Sequence, residues 1–424
     1  MNKRYAIVGF GCAGYQALST LRESACDAEI HVFSDLNQPP ANPMLTTYYA
    51  AGRLPYEALF PFGTLDDIQR RLDPILHTGA SVTALDPKER TLTCGGETFG
   101  AFDGILLATG AEPVVPPLGV TVGGRVLCMR TVADARALRA RLDQGGVRSV
   151  TVIGGSMVGI KIVELCQEAG LSCTLADMAD RIFPLSAFSD VSEEIQRRLT
   201  EKGVALRFGA AVTGAAETDE QVTTFFAQGE PVPSDLLVLC IGTRAKTALA
   251  RAAGLEVNRG IVVNDSMETS VPGIYAAGDC CEGRNLMTGG HQIIGLWANA
   301  AYQGQTAGHC MAGDPAVFSG NILHNITHFM GMDFISFGDV NAQGEVHTIG
   351  KPTDTRYVKA VVSGGELRCV NLLDSYHISG VVKNYIMNRF SGNHAPLPAA
   401  LRGLLAREGF TDEFLKLFEG GDPA

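Results

Sequence analysis

Short apolar runs that lead into glycine-rich turns and then into helices recur along the chain. Residues 5–8 form an apolar, β-prone run, and residues 13–22 after it have helical spacing. Residues 150–153 form a second such run, again followed by apolar positions at helical spacing. Strands that alternate with helices are typical of α/β folds with parallel sheets. The pattern therefore predicts two similar β-α-β units.

The first glycine-rich turn has the spacing of a dinucleotide-binding motif. Gly9, Gly11 and Gly14 form G-x-G-x-x-G directly after the first strand. In this motif the first glycine permits a tight turn, the second lets the backbone approach a pyrophosphate, and the third lets the helix pack on the strand. The positive N-terminal end of that helix would face the phosphates. A glycine turn without a ligand is the alternative if the motif is taken alone.

The second turn departs from the motif at one position. Gly154 and Gly159 keep the spacing, but Ser156 replaces the middle glycine. A strand over residues 171–177 follows, with Asp177 at its end. A carboxylate there would accept a hydrogen bond from a ribose 2′-hydroxyl and repel the 2′-phosphate of NADP. Asp177 therefore favours NADH over NADPH, the alternative being an exposed carboxylate at a strand end.

The corresponding strand of the first unit ends in two polar residues. Residues 29–35 predict this strand, with Ser34 and Asp35 at its end. Either side chain could meet an adenosine ribose, and the sequence leaves both open.

Two further motifs complete an order that is typical of one superfamily. Ala108, Thr109 and Gly110 form an A-T-G turn after an apolar strand, and Gly278 precedes Asp279 after another. With the two glycine turns, the chain resembles the pyridine nucleotide-disulfide oxidoreductase superfamily. The resemblance implies FAD in the first unit, NAD(P)H in the second, and an aspartate, Asp279, that accepts hydrogen bonds from the ribityl chain.

The resemblance also implies the cofactor-binding residues. Those expected to bind FAD are Gly9, Gly11, Cys12, Ala13, Gly14, Ser34, Asp35, Val82, Ala108, Thr109, Gly110, Gly278, Asp279 and Trp297. Those expected to bind NADH are Gly154, Ser156, Met157, Val158, Gly159, Asp177 and Gly242.

The absence of a cysteine in one segment indicates which branch of the superfamily the chain resembles. Disulfide-reducing members place a redox-active cysteine after the second strand of the FAD domain, and residues 36–62 contain none. This segment is more similar to that of the rubredoxin reductase, ferredoxin reductase and nitrite reductase flavoprotein branch. Many such proteins carry lysine at the position of Thr47 and glutamate at that of Lys161. Both are changed here, so Thr47 and Lys161 are the candidate catalytic residues, although Lys161 could also be a solvated helix lysine.

Two pairs of potentially reactive residues are given structural interpretations. Cys280 and Cys281 follow Asp279, and neighbouring cysteines form only strained disulfides, so we expect small buried side chains. His324 and His328 are four residues apart in a strand-like stretch without a third ligand, so no metal site is predicted.

Composition and length agree with a multidomain α/β protein. The chain has 424 residues, of which 46% are hydrophobic and 19% charged. We expect an FAD-binding domain over residues 1–112 and 246–318 and an NAD-binding domain over 113–245. Alternating apolar positions in residues 319–424 predict a C-terminal α+β domain. This part resembles the C-terminal domain of the nitrite reductase flavoprotein branch, and the resemblance implies that it shapes the acceptor site or a dimer interface. The predicted fold class is α/β, with two Rossmann-like domains and this α+β domain.

Charge and hydropathy argue against several partners. A net charge of −11 disfavours nucleic acid, and no apolar stretch reaches the length of a membrane span. The first strand begins too early for a signal peptide, so a cytoplasmic protein with reduced cysteines is expected.

These features predict an enzyme in which NADH reduces FAD and the flavin passes electrons directly to an acceptor. The acceptor would be a small redox protein, a partner reductase subunit, or a small molecule. An NADH oxidase or a quinone or other small-molecule reductase is one alternative, and a flavin-binding NADH sensor or assembly protein is another. A homodimer is expected.

Overall fold

The structure is a computed structural model that describes residues 2–393 and 395–419. Its helices are α1 (Cys12–Ser24), α2 (Thr46–Ala50), α3 (Leu65–Leu72), α4 (Val132–Asp143), α5 (Met157–Glu168), α6 (Ser189–Glu201), α7 (Ala248–Ala252), α8 (Trp297–Ala312), α9 (Tyr376–Phe390), α10 (Ala399–Arg407) and α11 (Asp412–Glu419). Two short 3₁₀ helices cover Pro43–Leu45 and Tyr56–Leu59.

The strands of the first half are β1 (Arg4–Val8), β2 (Glu29–Ser34), β3 (Ile75–Thr78), β4 (Val82–Asp86), β5 (Thr91–Cys94), β6 (Glu97–Phe99), β7 (Gly104–Leu107), β8 (Ala111–Pro113), β9 (Val126–Cys128), β10 (Ser149–Ile153), β11 (Ser172–Ala176) and β12 (Ala205–Arg207). Those of the second half are β13 (Val212–Glu217), β14 (Val222–Phe226), β15 (Val232–Ser234), β16 (Leu236–Leu239), β17 (Thr243–Ala245), β18 (Ile261–Val262), β19 (Ile274–Ala276), β20 (Cys281–Arg284), β21 (His291–Gln292), β22 (His324–Phe329), β23 (Met332–Gly338), β24 (Glu345–Ile349), β25 (Tyr357–Ser363) and β26 (Glu366–Leu373).

The described chain divides into two compact units. The first consists of residues up to 112 together with 243–321, and the second of 113–242 together with residues from 322 onward. The three domains drawn from the sequence stay a prediction.

The first unit is built on a parallel sheet of five strands. Their order is β19-β7-β1-β2-β3, and every pairing is parallel. The central strands are apolar along their length, and Ile7, Ile105 and Leu106 are fully buried. Continuous apolar strands of this kind occur where helices cover both faces of a sheet.

The second unit repeats this plan and adds an antiparallel sheet. Its parallel sheet has the order β12-β11-β10-β16-β9. The C-terminal sheet has the order β22-β23-β26-β25-β24 and is antiparallel throughout. The predicted fold class, two Rossmann-like domains with a C-terminal α+β part, is confirmed.

The antiparallel sheet also holds a loop that begins beside the second glycine turn. This loop runs from Asp177 to α6. The Phe188 amide donates to Asn371 Oδ1 at 2.9 Å, and Asn371 Nδ2 donates to the Ser186 carbonyl at 2.9 Å. Asn371 is fully buried in β26. A buried amide with both ends paired fixes the loop firmly, because leaving either group unpaired would cost free energy.

Candidate functional site

The first glycine turn lies at the carboxyl end of β1 in the first unit. Gly9 has φ +104°, and a Cβ added there would lie 2.1 Å from the Ala108 carbonyl oxygen. A Cβ added at Gly14 would lie 2.2 Å from the Gly9 carbonyl oxygen. At Gly11, by contrast, an added Cβ meets no atom within 4 Å. The first and third glycines are thus needed for main-chain packing, and the middle one borders open space, as a pyrophosphate would require.

The second turn repeats this geometry in the second unit. A Cβ added at Gly154 would lie 2.4 Å from the Cys240 carbonyl oxygen, and one added at Gly159 would lie 2.0 Å from Gly154. Ser156 caps α5, since its Oγ accepts from the Gly159 amide at 3.1 Å. The same hydroxyl donates to the Cys240 carbonyl at 2.8 Å. The serine is therefore turned back toward the protein, which explains how the motif tolerates it.

Asp177 is the first residue after β11, beside the second turn. Its Oδ2 accepts from the Gly155 amide at 2.7 Å and its Oδ1 from the Ala179 amide at 2.8 Å. Two amide donors fix the orientation of the carboxylate next to the predicted nucleotide site. Predicted residues Met157 and Val158 open α5 close by, and Val158 remains 39% exposed.

Gly242 lies three residues beyond β16 in the same unit. Its carbonyl accepts from the Val114 amide at 3.0 Å. Gly242 has φ +99°, and a Cβ added there meets no atom within 4 Å.

A cavity of about 550 Å³ opens in the first unit beyond the ends of β1 and β2. Four predicted FAD residues line it, namely Gly9, Asp35, Val82 and Thr109. Ligands of open α/β sheets bind outside the carboxyl ends of the strands, and this cavity lies there. Its size is within the ordinary range for a bound cofactor.

The two candidate ribose ligands of this unit differ in environment. Ser34 is buried, and its Oγ accepts from the Leu36 amide at 3.2 Å. Asp35 is exposed to the cavity, and its Oδ2 lies 3.7 Å from Lys246 Nζ. A second ion pair, Arg244 with Glu112 at 2.6 Å, also lines the cavity. Lys246, Arg244 and Glu112 were not predicted, because they are distant in sequence from every motif.

Gly278, which precedes Asp279, lies between α1 and α8, because a Cβ added there would lie near both Ala13 and Ala300. The Gly278 amide donates to Gln303 Oε1 at 2.9 Å, and a Cβ added at Gly278 would lie 3.2 Å from the Ala13 Cβ. Burial and, secondly, the negative charge of Asp279 raise the pKa of the Cys12 thiol to about 12. Cys12 and Ala13 are buried in the first turn of α1, so Asp279 lies close to that helix N-terminus.

Trp297, the first residue of α8, belongs to a stack of three aromatic rings. Its ring centroid lies 5.8 Å from that of Phe62, which in turn lies 3.8 Å from that of Tyr15. The interplanar angles are 17° and 10°. Cys12 Sγ lies 3.6 Å from the Trp297 carbonyl, which ties the stack to the first glycine turn.

The two candidate catalytic residues lie in different units. Thr47 is 8% exposed in α2, whose preceding residue Leu45 ends the 3₁₀ helix Pro43–Leu45. Lys161, in α5, is not a solvated lysine: Nζ lies 2.6 Å from Glu164 Oε2 and donates to the His328 carbonyl at 2.6 Å. Glu164 was missed by sequence reasoning, although its spacing of three residues from Lys161 is that of a helical ion pair.

All eleven cysteines of the chain are free thiols. Cys280 and Cys281 are buried, as expected. The hydrogen bond between these two thiols lowers the pKa of Cys280 to about 7 and raises that of Cys281. Cys280 is 0% and Cys281 1% exposed, so neither thiol is accessible from solvent.

His324 and His328 lie on β22 and bond to different partners. His324 Nδ1 lies 3.0 Å from the Ile322 carbonyl, and His328 Nδ1 lies 2.6 Å from Asp333 Oδ1. Among residues 2–393 and 395–419, no three His, Cys, Asp or Glu side chains are arranged to hold a metal ion. Over the same residues, no helix is long and apolar enough to cross a membrane.

The residues present therefore fit two dinucleotides. Each unit combines a glycine turn, a helix N-terminus and a carboxylate at the end of the following strand. These are the elements that bind FAD and NAD(H) in α/β folds.

Comparison with known proteins agrees with this geometry. The chain is 29% identical over 321 residues to an NADH oxidase from Methanocaldococcus jannaschii, covering 74% of this chain and 71% of that protein. It is 28% identical over 395 residues to the NADH-dependent phenylglyoxylate dehydrogenase subunit epsilon from Aromatoleum evansii, covering 91% and 92%. It is 30% identical over 314 residues to the ferredoxin–NAD(+) reductase component of 3-phenylpropionate/cinnamic acid dioxygenase from Photorhabdus laumondii, covering 74% and 78%.

A similar fold occurs in the covalent putidaredoxin reductase–putidaredoxin complex. The TM-score is 0.84 at 24% identity, with 97% of this chain and 100% of that chain covered. The sequence profile described as pyridine nucleotide-disulphide oxidoreductase matches residues 3–304. The chain belongs to the pyridine nucleotide-disulphide oxidoreductase family and is an FAD-dependent NAD(P)H oxidoreductase without an active-site disulfide.

Proposed function

We propose that the protein takes electrons from NADH and passes them through FAD directly to a separate redox protein. The observation that carries the proposal is the pair of dinucleotide sites in a chain whose cysteines are all unpaired and, next to the first site, buried. Bound FAD supplies the hydride acceptor. The neighbouring thiols of Cys280 and Cys281 are buried and so are not placed to relay electrons to a separate protein, which leaves the flavin as the direct donor.

The cofactor residues of this proposal are those of the two glycine turns and their neighbouring loops. Asp35, rather than Ser34, is the ribose ligand of FAD, since it borders the cavity while the Ser34 hydroxyl is turned to its own backbone. Asp177 binds the adenosine ribose of NADH and disfavours NADPH. Its anchoring by two amides supports this role, because a fixed carboxylate cannot move away from a 2′-phosphate.

Thr47 is proposed to act near the flavin ring bound by the first unit, and Lys161 near the nicotinamide ring bound by the second unit. Thr47 offers a hydroxyl from a buried position in α2, and Lys161 offers a fixed ammonium in the second turn of α5. Neither group needs to exchange a proton for hydride transfer. Their contribution is therefore orientation and electrostatic stabilisation of the bound rings.

The acceptor is proposed to be a small iron–sulfur or rubredoxin-like protein, or the remainder of a multisubunit enzyme. Curated relatives include a ferredoxin–NAD(+) reductase component, a rubredoxin–NAD(+) reductase and a dehydrogenase subunit. The dehydrogenase subunit matches nearly the whole of this chain, including the C-terminal sheet. That coverage supports an acceptor that is itself a protein. A homodimer stays a prediction, which light scattering of the purified protein would test.

Reduction of oxygen or a quinone is the second candidate function. The likeness to an NADH oxidase favours it. The two candidates are separated by the rate at which the reduced enzyme gives electrons to each acceptor.

The test is anaerobic stopped-flow reduction of the yellow protein by NADH, with NADPH as the comparison. We expect rapid bleaching of the flavin by NADH and much slower bleaching by NADPH. The reduced enzyme is then mixed with a [2Fe–2S] ferredoxin, rubredoxin, a soluble quinone or oxygen. Faster reoxidation by a redox protein than by oxygen supports the proposal, whereas oxygen or quinone as the fastest acceptor supports the second function.

An Asp177→Asn variant tests the nucleotide preference. The amide keeps an acceptor for the Gly155 amide but removes the charge, so we expect the ratio of kcat/KM for NADH to that for NADPH to fall about tenfold or more. Asp143→Asn, which removes an exposed carboxylate from α4, is the matched control. An unchanged ratio in Asp177→Asn would remove Asp177 from the nucleotide site.

A further inference from the structure

Helix α5 carries a buried ion pair directly behind the second glycine turn. Lys161 Nζ lies 2.6 Å from Glu164 Oε2, and the two side chains are only 10% and 7% exposed. Burial of two charges is costly, and replacement by apolar residues is often neutral or stabilising. An ion pair at this spacing stabilises a helix by only about 0.2–0.5 kcal/mol, so helix stability does not account for the burial of two charges here.

Both charges are fixed by the main chain of one turn. Lys161 Nζ also donates to the His328 carbonyl at 2.6 Å, and Glu164 Oε1 accepts from the Met330 amide at 2.9 Å. The titratable ring of His328 is 57% exposed and is paired with Asp333. Neither partner of the ion pair can therefore swing away when a ligand binds, and the local charge stays balanced.

We propose that Glu164 is a positioning residue that balances the charge of Lys161, so that the site binds oxidised and reduced nicotinamide with similar affinity. This inference rests on the proposed function, in which α5 binds NADH and Lys161 lies near the nicotinamide. The nicotinamide ring of NAD⁺ carries one positive charge that the ring of NADH lacks. An unbalanced lysine would repel NAD⁺ selectively, and an unbalanced glutamate would attract it.

The consequence is a nucleotide site that suits both directions of the reaction. If the protein bound NADH much more tightly than NAD⁺, the bound couple would favour NADH as the product of flavin oxidation and would slow its use as a donor. A balanced pair avoids this bias. The Lys161–Glu164 pair therefore sets how reversible the exchange between nicotinamide and flavin is.

The test measures binding rather than turnover. FAD-loaded protein is titrated calorimetrically with NAD⁺ and with tetrahydro-NAD, whose nicotinamide ring is uncharged and cannot transfer hydride to the flavin. The readout is the Kd for NAD⁺ divided by the Kd for tetrahydro-NAD. The variants are Glu164→Gln, Lys161→Met and the double variant, with Asp143→Asn as a control that removes one exposed negative charge in the same unit.

The direction in which each variant changes this ratio distinguishes charge balance from a merely structural role. Glu164→Gln keeps one acceptor oxygen, which can serve the Met330 amide, and leaves the lysine charge unbalanced, so the ratio should rise about fivefold to tenfold. Lys161→Met should lower the ratio, by a smaller factor because a buried carboxylate without a partner takes up a proton more readily. In the double variant the ratio should return to within about twofold of its value in the unaltered protein. In Asp143→Asn the ratio should not change.

Three outcomes would overturn the inference. One is an unchanged ratio in Glu164→Gln, and another is a rise in both Kd values by the same factor in every variant, which would mean that the pair only holds the turn. The third is an unaltered protein that binds neither nucleotide, and this result alone would also end the proposed function. Flavin content and far-ultraviolet circular dichroism confirm that each variant is folded; if Lys161→Met unfolds, Glu164→Gln still decides.

Discussion

Single residues of the two glycine turns divide into those that serve the fold and those that serve the ligand. Gly9 and Gly154 each face a carbonyl just beyond the neighbouring strand, that of Ala108 or that of Cys240, at distances no side chain allows. Gly11 faces open space. The middle position is therefore the one where sequence can vary without harm to the fold, and Ser156 is the variation that this chain shows.

Replacement of the first and second glycines by alanine should have different effects. Gly9→Ala places a Cβ 2.1 Å from a main-chain oxygen at a φ that alanine disfavours, so we expect at least about 3 kcal/mol of destabilisation and little bound FAD. Gly11→Ala should fold normally and bind FAD more weakly. Urea unfolding of the apoprotein and the FAD content of the purified variants measure both effects. Equal loss of stability in the two variants would contradict this division.

His324 makes the stability of the second unit depend on pH. Burial, assisted by the positive charge of Lys383, lowers the pKa of His324 to about 4. An unfolded histidine has a pKa near 6.5, so between about pH 6.5 and pH 4 the unfolded state binds more protons than the folded state. The contribution of His324 to the free energy of unfolding is therefore fully present above pH 6.5 and is lost as the pH falls toward 4.

We expect the free energy of unfolding to fall by up to about 3 kcal/mol over this window because of His324. Urea unfolding at several pH values, compared between the unaltered protein and His324→Gln, isolates that part. His309→Gln, which alters an exposed histidine, serves as the control. Parallel curves for the unaltered protein and His324→Gln would show that the imidazole does not titrate with folding.

Local spacing in the sequence is enough to place some of the predicted site residues on their elements, although their roles stay predictions. Asp177 follows β11 directly, because a strand and the acid at its end are neighbours in sequence. The partners of Lys161 could not be found in this way. Glu164 is close in sequence, but the carbonyl that completes the arrangement belongs to His328, 167 residues away. Only the tertiary fold brings that turn onto α5.

At the scale of elements, the packing of α1 on α8 positions the first site. Glycines of α8 let the two helices approach closely, since a Cβ added at Gly304 would lie 2.3 Å from the Ala13 carbonyl and one at Gly308 would lie 3.0 Å from that of Ala17. The N-terminus of α1 is therefore set by a helix almost 290 residues later. The sequence predicted α1 but not this contact, because glycine within a helix gives no signal of what packs against it.

Gly304→Ala should therefore push α1 away from its place and reduce FAD binding. We expect about 2 to 4 kcal/mol of destabilisation, since the obstacle is main chain rather than a flexible side chain. Gly380→Ala in α9 is the matched control, because an added Cβ there meets no atom within 4 Å and alanine favours helix by up to about 1 kcal/mol. Thermal unfolding and flavin content compare the two. A Gly304→Ala protein with unaltered flavin content would show that the helix contact does not position the site.

The spacing of residues along a strand explains why His324 and His328 of β22 bond to different partners. Alternating apolar positions predicted a strand there, and β22 is the outer strand of the antiparallel sheet. Residues four apart on a strand lie about 13 Å from each other, whereas on a helix they would lie on adjacent turns. The predicted strand is confirmed as β22, and its geometry sets the two side chains far apart.

At the scale of the whole molecule, the distribution of thiols separates electron transfer from disulfide chemistry. Nine of the eleven cysteines are buried, while Cys26 is exposed and Cys310 is partly exposed. Thiolate chemistry needs an accessible sulfur with a lowered pKa. Burial raises the pKa of Cys12 to about 12, and Cys280, whose pKa is lowered, is completely covered.

Alkylation of the native protein should consequently leave electron transfer intact. N-ethylmaleimide should modify Cys26 quickly and Cys310 slowly, because reaction rates follow exposure and thiolate content. We expect NADH-dependent reduction of the acceptor to continue at its initial rate after both adducts are complete by mass spectrometry. The same reagent applied to the NADH-reduced protein is the stricter control, since a disulfide formed during turnover would release new thiols on reduction. Activity lost in step with an adduct at Cys12, Cys280 or Cys281 would mean that a thiol takes part in the reaction, and the direct route from flavin to acceptor would have to be abandoned.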